Sequence, residues 1–182
     1  MMILNSVAET ILHARHPNDA ATLAFAGVID MALRAGRRPL IRGLSEARFQ
    51  KLLDEFFVGL ALDNGAAPAA AKADIDEFDE LVQLLLESRA TPDERDAWLA
   101  YAVASAAMGE NHLWQDMGLP SRKVLSELMR EHFPALAARN TGDMKWKKFF
   151  YRQLCERSGV PICKSPHCAE CGDYPVCFGR EE

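Results

Sequence analysis

The sequence predicts an all-α fold, a multi-helix globular body followed by an irregular, cysteine-rich C-terminal tail. Apolar residues recur at the spacing of helical faces over most of the chain, and no alternating β-branched stretch is long enough for a strand. All five cysteines lie between Cys155 and Cys177. We therefore expect one helical domain over residues 1–158 and a metal-binding tail, the cysteine tail, over residues 159–182.

The first helices are predicted by their start signals. A proline-asparagine-aspartate sequence opens a helix over residues 19–35, which ends before a glycine. Ser45 is a suitable N-cap for the next helix, whose apolar face runs from Phe49 to Leu60. Residues 63–72 follow as an alanine-rich linker.

The middle of the chain predicts two further helices. Residues 75–86 repeat apolar side chains at helical spacing. Thr91 and Glu94 then form a capping box, with proline at the first helical position. This capping box is expected to open a helix that ends near Gly109.

The last two predicted helices lead to the cysteine tail. A glycine-leucine-proline-serine signal at residues 118–121 opens a helix that must end around Phe133, because proline follows. The final helix is expected over residues 143–158, with an aromatic and leucine face and Gly159 as its stop.

Charge and composition limit the partners and the compartment. The formal net charge of −5 gives no reason to expect nucleic acid or an anionic membrane as partner. The start of the chain has no basic segment followed by a sustained apolar run, and the longest weakly polar stretch, residues 20–29, is too short to span a bilayer. We therefore expect a cytoplasmic protein.

Four cysteines of the tail have the spacing Cys163-x4-Cys168-x2-Cys171-x5-Cys177. Their thiolates can converge on one centre if the chain between them forms loops, and Pro175 is among the prolines and glycines that discourage regular structure there. Residues 1–154 of the helical body contain no cysteine to pair with, so a disulfide framework is not favoured. Gathered thiolates in a reducing compartment instead indicate metal ligands.

The spacing leaves the identity of the metal open. Iron–sulfur clusters are held by four thiolates and tolerate wide ligand spacing. Zinc knuckles commonly show two Cys-x2-Cys pairs, whereas this chain has one. A cluster is therefore favoured over zinc, with free thiols as the third interpretation.

Three residues outside this set are accessory candidates. Cys155 is expected beside the apolar stripe of the last helix, as a half-buried core residue or a spare ligand during loading. His167 precedes Cys168 and is an exposed loop residue or a further ligand. His112 either reaches the site or caps a helix end.

A local excess of cations precedes the cysteine tail. Residues 144–164 contain six cations and one anion. Such a patch offsets the negative charge of a thiolate cluster and attracts an oxyanion such as molybdate, docks an acidic partner, or is a solvated helix face. The residues expected to dock an anion or a partner are Lys145, Lys147, Lys148 and Arg152.

No motif for conventional enzyme chemistry is visible. The sequence has no glycine-rich phosphate loop, no defensible Ser/His/Asp order and no paired carboxylates on a helix. The sequence therefore does not predict an enzyme.

The stretch from His112 to Gly179 resembles the NifQ family of nitrogen-fixation proteins. The four-cysteine spacing is the hallmark of the family and is met in full, and it follows a basic, aromatic helix. Residues 1–110 resemble the family only as an alanine- and leucine-rich helical body. The segments that carry the resemblance are Gly118–Arg122, His132–Ala137, Asn140–Thr141, Met144–Tyr151 and Cys177–Gly179.

This resemblance implies a function. NifQ-type proteins are thought to carry a molybdenum–iron–sulfur cluster, with molybdate as the metal source, and to supply molybdenum for the iron–molybdenum cofactor. The implied recipients are the cofactor scaffold complex and the nitrogenase iron protein. The implied cluster ligands are Cys163, Cys168, Cys171 and Cys177. A zinc-knuckle interaction module and a simple iron–sulfur electron-transfer protein are the alternatives.

Overall fold

The computed structural model describes residues 7–66, 75–159 and 172–181, which contain ten helices and no strand. The all-α prediction is confirmed for this part of the chain. An isolated antiparallel bridge joins Ala14 to Phe57. None of the described helices is long and apolar enough to cross a bilayer. In chain order the helices are α1 (Val7–Leu12), α2 (Ala20–Arg34), α3 (Glu46–Phe56), α4 (Ile75–Glu87), α5 (Glu94–Ala107), α6 (Leu113–Asp116), α7 (Arg122–His132), α8 (Pro134–Arg139), α9 (Trp146–Ser158) and α10 (Tyr174–Phe178).

Helices α2 and α5 form the centre of the body. Most of their residues are buried, including Phe25 and Ile29 of α2 and Trp98 and Val103 of α5. A helix that is apolar on nearly every side must be surrounded by protein. The other helices supply that cover: α1 and α7 pack on α2, α4 packs on α5, and α9 packs on α4.

Helix α9 carries the candidate basic residues on a firmly attached base. Its aromatic residues Trp146, Phe149 and Phe150 and its Leu154 are buried, as the sequence predicts. The Trp146 indole Nε1 also donates a hydrogen bond of 3.1 Å to Ser126 Oγ on α7. The solvent-facing side of α9, which carries the candidate basic residues, is therefore held in a fixed position.

Several predicted helix ends are confirmed. The Asp19 carboxylate accepts a 3.0 Å hydrogen bond from the Thr22 amide at the start of α2. Ser45 Oγ accepts one of 3.4 Å from the Arg48 amide at the start of α3. Gly159 ends α9 in the left-handed conformation, with φ of 69°. Each of these signals acts within one turn of its helix, so it can be recognised locally.

The predicted capping box is wrong in its register. The N-cap of α5 is Asp93, whose carboxylate accepts a 2.9 Å hydrogen bond from the Arg95 amide. The Thr91 hydroxyl instead donates a 2.8 Å hydrogen bond to the buried carboxylate of Asp96. A contact one turn further along the helix therefore competes with the cap expected from Thr91.

Two other helix boundaries differ from the expected ones. Helix α3 ends at Phe56 rather than near Leu60, because Phe57 is extended and pairs with Ala14. Helix α9 begins at Trp146 rather than at Asp143, which has a φ of 52° and cannot continue a right-handed helix.

The short helices α1, α6, α8 and α10 are absent from the sequence-based prediction. Helix α7 does end before Pro134, as expected, but this proline begins α8. Helix α10 likewise has Pro175 in its first turn, so the expectation that this residue discourages regular structure is wrong. A proline that ends one helix can therefore begin another. Helices of only four to six residues, such as these, are too short to show a periodic apolar pattern.

The predicted linker over residues 63–72 begins with a structural residue. Asn64 is 1% exposed and belongs to the core of the body. Its side chain accepts a 2.8 Å hydrogen bond from the Ile41 amide and donates to the carbonyls of Ile41 and Leu44. Asn64 therefore fixes the loop that connects α2 to α3, although residues 67–72 of the predicted linker lie outside the described residues.

Glu87 makes a pH-dependent contact between α4 and α9. Its carboxylate accepts a hydrogen bond from Gln83 and pairs with Arg157, and these contacts hold the pKa of Glu87 below its usual value. Because this pKa is lowered, the contact stabilises the fold fully at pH values above the pKa of Glu87 in the unfolded chain, about 4.3. The stabilisation is lost as the pH falls through the pKa of Glu87 in the folded protein. We expect Glu87→Gln to lower the Tm slightly at pH 7 and to make the Tm less dependent on pH below about 4.5. An unchanged acid dependence of the Tm would contradict this role.

Candidate metal centre and its lysine groove

Cys177 lies in α10, which is attached to the body at the start of α9. The backbone amide of Lys145, the N-cap of α9, donates a 2.7 Å hydrogen bond to the Cys177 carbonyl oxygen. The cysteine itself is half-buried. Tyr174 and Phe178 stack in the same short helix, with ring centroids 4.6 Å apart. The last cysteine of the predicted ligand set therefore has a fixed position against the helical body.

Phe178 provides a second attachment. Its ring lies so close to Gly142 that a Cβ atom there would come within 3.0 Å of Phe178 Cε1. The turn that contains Gly142 is closed by Asn140, whose side chain donates to the Met144 carbonyl and accepts from the Met144 amide, both at 2.9 Å. The Asn140–Thr141 segment that resembles the NifQ family therefore forms the seat of α10.

Glu181 attaches the chain on the other side of Cys177. Its side chain is only 3% exposed and lies 3.7 Å from His112 Nδ1 and 3.8 Å from Arg122 Nε. The same arginine donates a 2.8 Å hydrogen bond to the Asp143 carbonyl oxygen. Contacts on both sides of Cys177 thus hold the end of the described chain on the body. No periodic pattern includes Glu181, so its role is not predicted from the sequence.

A groove of about 720 Å³, here called the lysine groove, lies beside this attachment. It brings together His112, the three lysines at the start of α9 and Val176, the residue before Cys177. Lys145 is half-buried and Lys148 is exposed. The residues that line the groove are Glu77, Ala107, Glu110, Asn111, His112, Leu113, Gln115, Lys145, Lys147, Lys148, Tyr151, Val176 and Glu181.

The charge of the lysine groove is mixed rather than basic. Lys147 Nζ is 2.5 Å from Asp116 Oδ2 and donates to the Gly109 carbonyl at 2.7 Å, so its charge is already paired. Asp116 also accepts hydrogen bonds from the backbone and side chain of Asn111. Among the described residues that line the groove, three glutamates accompany the three lysines. The groove as a whole therefore has little net attraction for an oxyanion.

The structure separates two of the predicted residues from this groove. Arg152 lies along another groove of the surface and pairs with Glu156, at 2.9 Å from Nε to Oε1. Cys155 is half-buried, as the sequence predicts. It lies ten residues beyond Lys145, about 15 Å along the helix axis. Cys155 therefore lies well along α9 from the residue that binds the Cys177 carbonyl.

His112 begins helix α6, as one of the two sequence-based interpretations has it. Its backbone amide donates a 3.1 Å hydrogen bond to Gln115 Oε1. Its ring faces the lysine groove and the Glu181 carboxylate. The residue therefore combines a helix start with a position at the groove.

The remaining candidate ligands, Cys163, Cys168, Cys171 and His167, lie outside the described residues. Within the ranges that the structure describes, no group of three histidine, cysteine or acidic side chains could hold a metal ion. The four-cysteine centre therefore stays a prediction. Of the four predicted ligands, the structure describes Cys177, which has a half-buried thiol. A thiolate is a soft donor of the kind that suits iron and reduced molybdenum.

The comparisons with known proteins agree on one family. The family model described as NifQ matches residues 24–179. The chain is 40% identical over 155 residues to Protein NifQ of Azotobacter vinelandii, covering 79% of this chain and 80% of that protein. It is also 40% identical over 149 residues to Protein NifQ of Rhodobacter capsulatus, covering 81% and 82%. No solved structure matches the chain.

Proposed function

Because the chain belongs to the NifQ family of nitrogen-fixation proteins, we propose that it carries molybdenum for the assembly of the nitrogenase iron–molybdenum cofactor. Its cargo is a molybdenum–iron–sulfur cluster on Cys163, Cys168, Cys171 and Cys177, with molybdate as the source of the heterometal. The chain acts as a carrier and donor rather than as an enzyme.

The position of Cys177 carries this proposal. A cargo site must hold its metal on a defined base and still be reached by a recipient. Cys177 meets both needs, because its backbone is bonded to the start of α9 while its side chain is only half-buried. Soft thiolates suit iron and reduced molybdenum.

The surface around α10 suits contact with a recipient. Tyr174 and Val176 precede Cys177 in α10 and are 43% and 51% exposed, and Tyr151 of α9 is 50% exposed. Exposed apolar and aromatic side chains near a site are typical of surfaces that bind other proteins. We propose that this surface meets the cofactor scaffold complex and the nitrogenase iron protein, which receive the molybdenum.

Metal analysis of anaerobically purified protein from molybdate-replete cells tests the function. Brown protein with iron, sulfide and molybdenum is expected. Iron and sulfide without molybdenum, even after incubation with molybdate, would make the chain a redox carrier. Colourless protein with one zinc per chain would turn the cysteine tail into a structural zinc knuckle.

A further inference from the structure

The segment that follows Cys177 contains a buried carboxylate. The Glu181 side chain is only 3% exposed, whereas Glu77 and Glu110, the other described glutamates that line the lysine groove, are exposed. A carboxylate that leaves water loses its hydration, so it needs cations or hydrogen-bond donors close by. The burial of Glu181, four residues beyond a predicted metal ligand, therefore depends on its neighbours.

Arg122 is the main neighbour of this carboxylate. Arg122 Nε lies 3.8 Å from Glu181 Oε2, and this nitrogen is buried and donates no hydrogen bond within the described residues. The Arg122 side chain is 19% exposed, and its Nη2 atom donates a 2.8 Å hydrogen bond to the Asp143 carbonyl oxygen. His112 Nδ1 lies 3.7 Å from Glu181 Oε1 and adds attraction when the ring is protonated. Because the Arg122 and Glu181 charges are both largely shielded from water, they interact more strongly than a surface pair.

The same guanidinium contacts both sides of α10. Asp143, which binds Arg122, follows Gly142 in the turn against which the Phe178 ring packs. Glu181, which pairs with Arg122, lies just beyond the other end of this short helix. One side chain of α7 therefore connects the seat of α10 to the segment that follows α10.

The chain between Cys177 and Glu181 is short and closely folded onto α10. The Gly179 amide donates a 2.8 Å hydrogen bond to the Pro175 carbonyl oxygen in the first turn of the helix. An added Cβ atom at Gly179 would collide with that oxygen, so the chain passes very close to the helix. We therefore expect a displacement of Glu181 to move α10 and the cysteine that it carries.

We propose that Arg122 and Glu181 are positioning residues of the predicted metal centre, and that their ion pair, here called the clamp, sets how firmly Cys177 is held on the body. The clamp acts through the backbone of α10, whose Cys177 carbonyl accepts the hydrogen bond from the Lys145 amide. That Cys177 binds a cluster rests on the proposed function, whereas the clamp rests on the contacts of the described residues. On that function, the clamp governs how long the chain retains its cluster.

Alkylation of the reduced, metal-free full-length chain with iodoacetamide tests the clamp. Peptide mass spectrometry follows the reaction of each cysteine with time. Glu181→Gln keeps the size of the side chain and removes its charge. The Cys177 thiol should therefore react about fivefold faster than in the wild type, the factor that corresponds to the loss of about 1 kcal/mol of interaction. The half-buried Cys155 of α9 is the reference in the same sample and should react at its wild-type rate.

Three further variants separate the clamp from a simple effect of charge. Glu110→Gln removes the same charge from an exposed residue of the lysine groove and should leave the reaction of Cys177 unchanged. Arg122→Gln removes a positive charge, which by itself would disfavour the reactive thiolate and slow the reaction. The clamp predicts a faster reaction instead, because this variant leaves Glu181 buried without its main partner. The double variant Arg122→Gln, Glu181→Gln should react little faster than Arg122→Gln alone, since both changes remove one interaction.

Two measurements show whether the effect is local and whether it reaches the cluster. The Tm of metal-free Glu181→Gln should stay close to that of the wild type, because the core of the body lies in other helices. In anaerobically loaded protein, Glu181→Gln should lose iron to an external chelator about fivefold faster than the wild type, if the change at Cys177 is transmitted in full. Glu110→Gln should lose iron at the wild-type rate.

The outcomes distinguish failure of the clamp from failure of the proposed function. Unchanged alkylation of Cys177 in Glu181→Gln would overturn the clamp, whatever metal the chain carries. A faster reaction in Glu181→Gln but a slower one in Arg122→Gln would show an effect of charge alone and would also overturn it. A lowered Tm with equally faster reaction of Cys155 would replace the clamp by a general loss of stability. Faster alkylation of Cys177 alone, in a chain that never carries molybdenum in cells, would support the clamp and contradict the donor function.

Discussion

Gly27→Ala is expected to lower the free energy of unfolding by about 3 kcal/mol or more. Gly27 lies in α2 where the turn after α6 crosses it, and an added Cβ would be 1.9 Å from the Met117 carbonyl oxygen. Alanine is favoured over glycine in a helix by only about 1 kcal/mol. That preference cannot offset a collision with backbone atoms, which can be relieved only by moving the two elements apart.

Chemical denaturation with far-UV circular dichroism measures this effect, and two other glycines provide its controls. Gly118, on the opposite side of the crossing, has a φ of 62° and an added Cβ there would be 2.7 Å from Gly27 Cα. Gly36 has a similar φ of 63° but no atom within 4 Å. Gly118→Ala should therefore cost clearly more than Gly36→Ala, and the difference isolates the close contact. A Gly27→Ala protein as stable as the wild type would refute this crossing.

Cys177→Ala is expected to abolish loading of the cluster while leaving the helical body folded. Removal of one of four thiolates takes away a quarter of the proposed ligand set, whereas the buried core lies elsewhere in α2, α5 and their neighbours. The backbone hydrogen bond that attaches this position to α9 is made by the Cys177 carbonyl, which alanine also provides. The variant should therefore lose iron and visible colour but keep its far-UV spectrum.

Cys155→Ala is the matched control, because it removes a half-buried thiol that lies about 15 Å from the start of α9. Iron and molybdenum contents per chain, measured after the same anaerobic purification, should match those of the wild type. Loss of metal in both variants would bring Cys155 into the ligand set. A collapsed helical spectrum in Cys177→Ala would show that the metal is required for folding.

Local signals in the sequence predicted most of the fold. The caps at Asp19 and Ser45 and the left-handed stop at Gly159 act within a single turn, so the residues themselves identify them. Helix faces such as that of α9 follow from periodicity alone. The end of α3 is an error that a distant contact causes, because Phe57 pairs with Ala14, far back in the chain. The capping-box error has a nearer cause, since Thr91 donates to Asp96 of the same helix.

At the candidate site, too, local sequence patterns predict some features, whereas contacts between distant residues determine others. Cysteine spacing predicts a metal-binding tail, because ligands that share one centre must be close in sequence or in space. The charge count around α9 did not identify which cations are available, since Lys147 is paired with Asp116 of another helix. Asn64 and Glu181 escaped notice for the same reason, because their partners are far away in sequence.

The hydrogen bond between Lys145 and Cys177 has a topological consequence. Residue 159 ends helix α9 and residue 177 is bonded to its beginning, so the chain between them closes a ring with the helix as one side. Helix α9 has 13 residues and is about 20 Å long. The three other cysteines of the predicted centre belong to this ring. On the proposed function, a cluster bound by these cysteines and Cys177 would be thermodynamically linked to the attachment of α10 at the start of α9. By reciprocity, a recipient that detached α10 from α9 would also weaken the binding of the cluster.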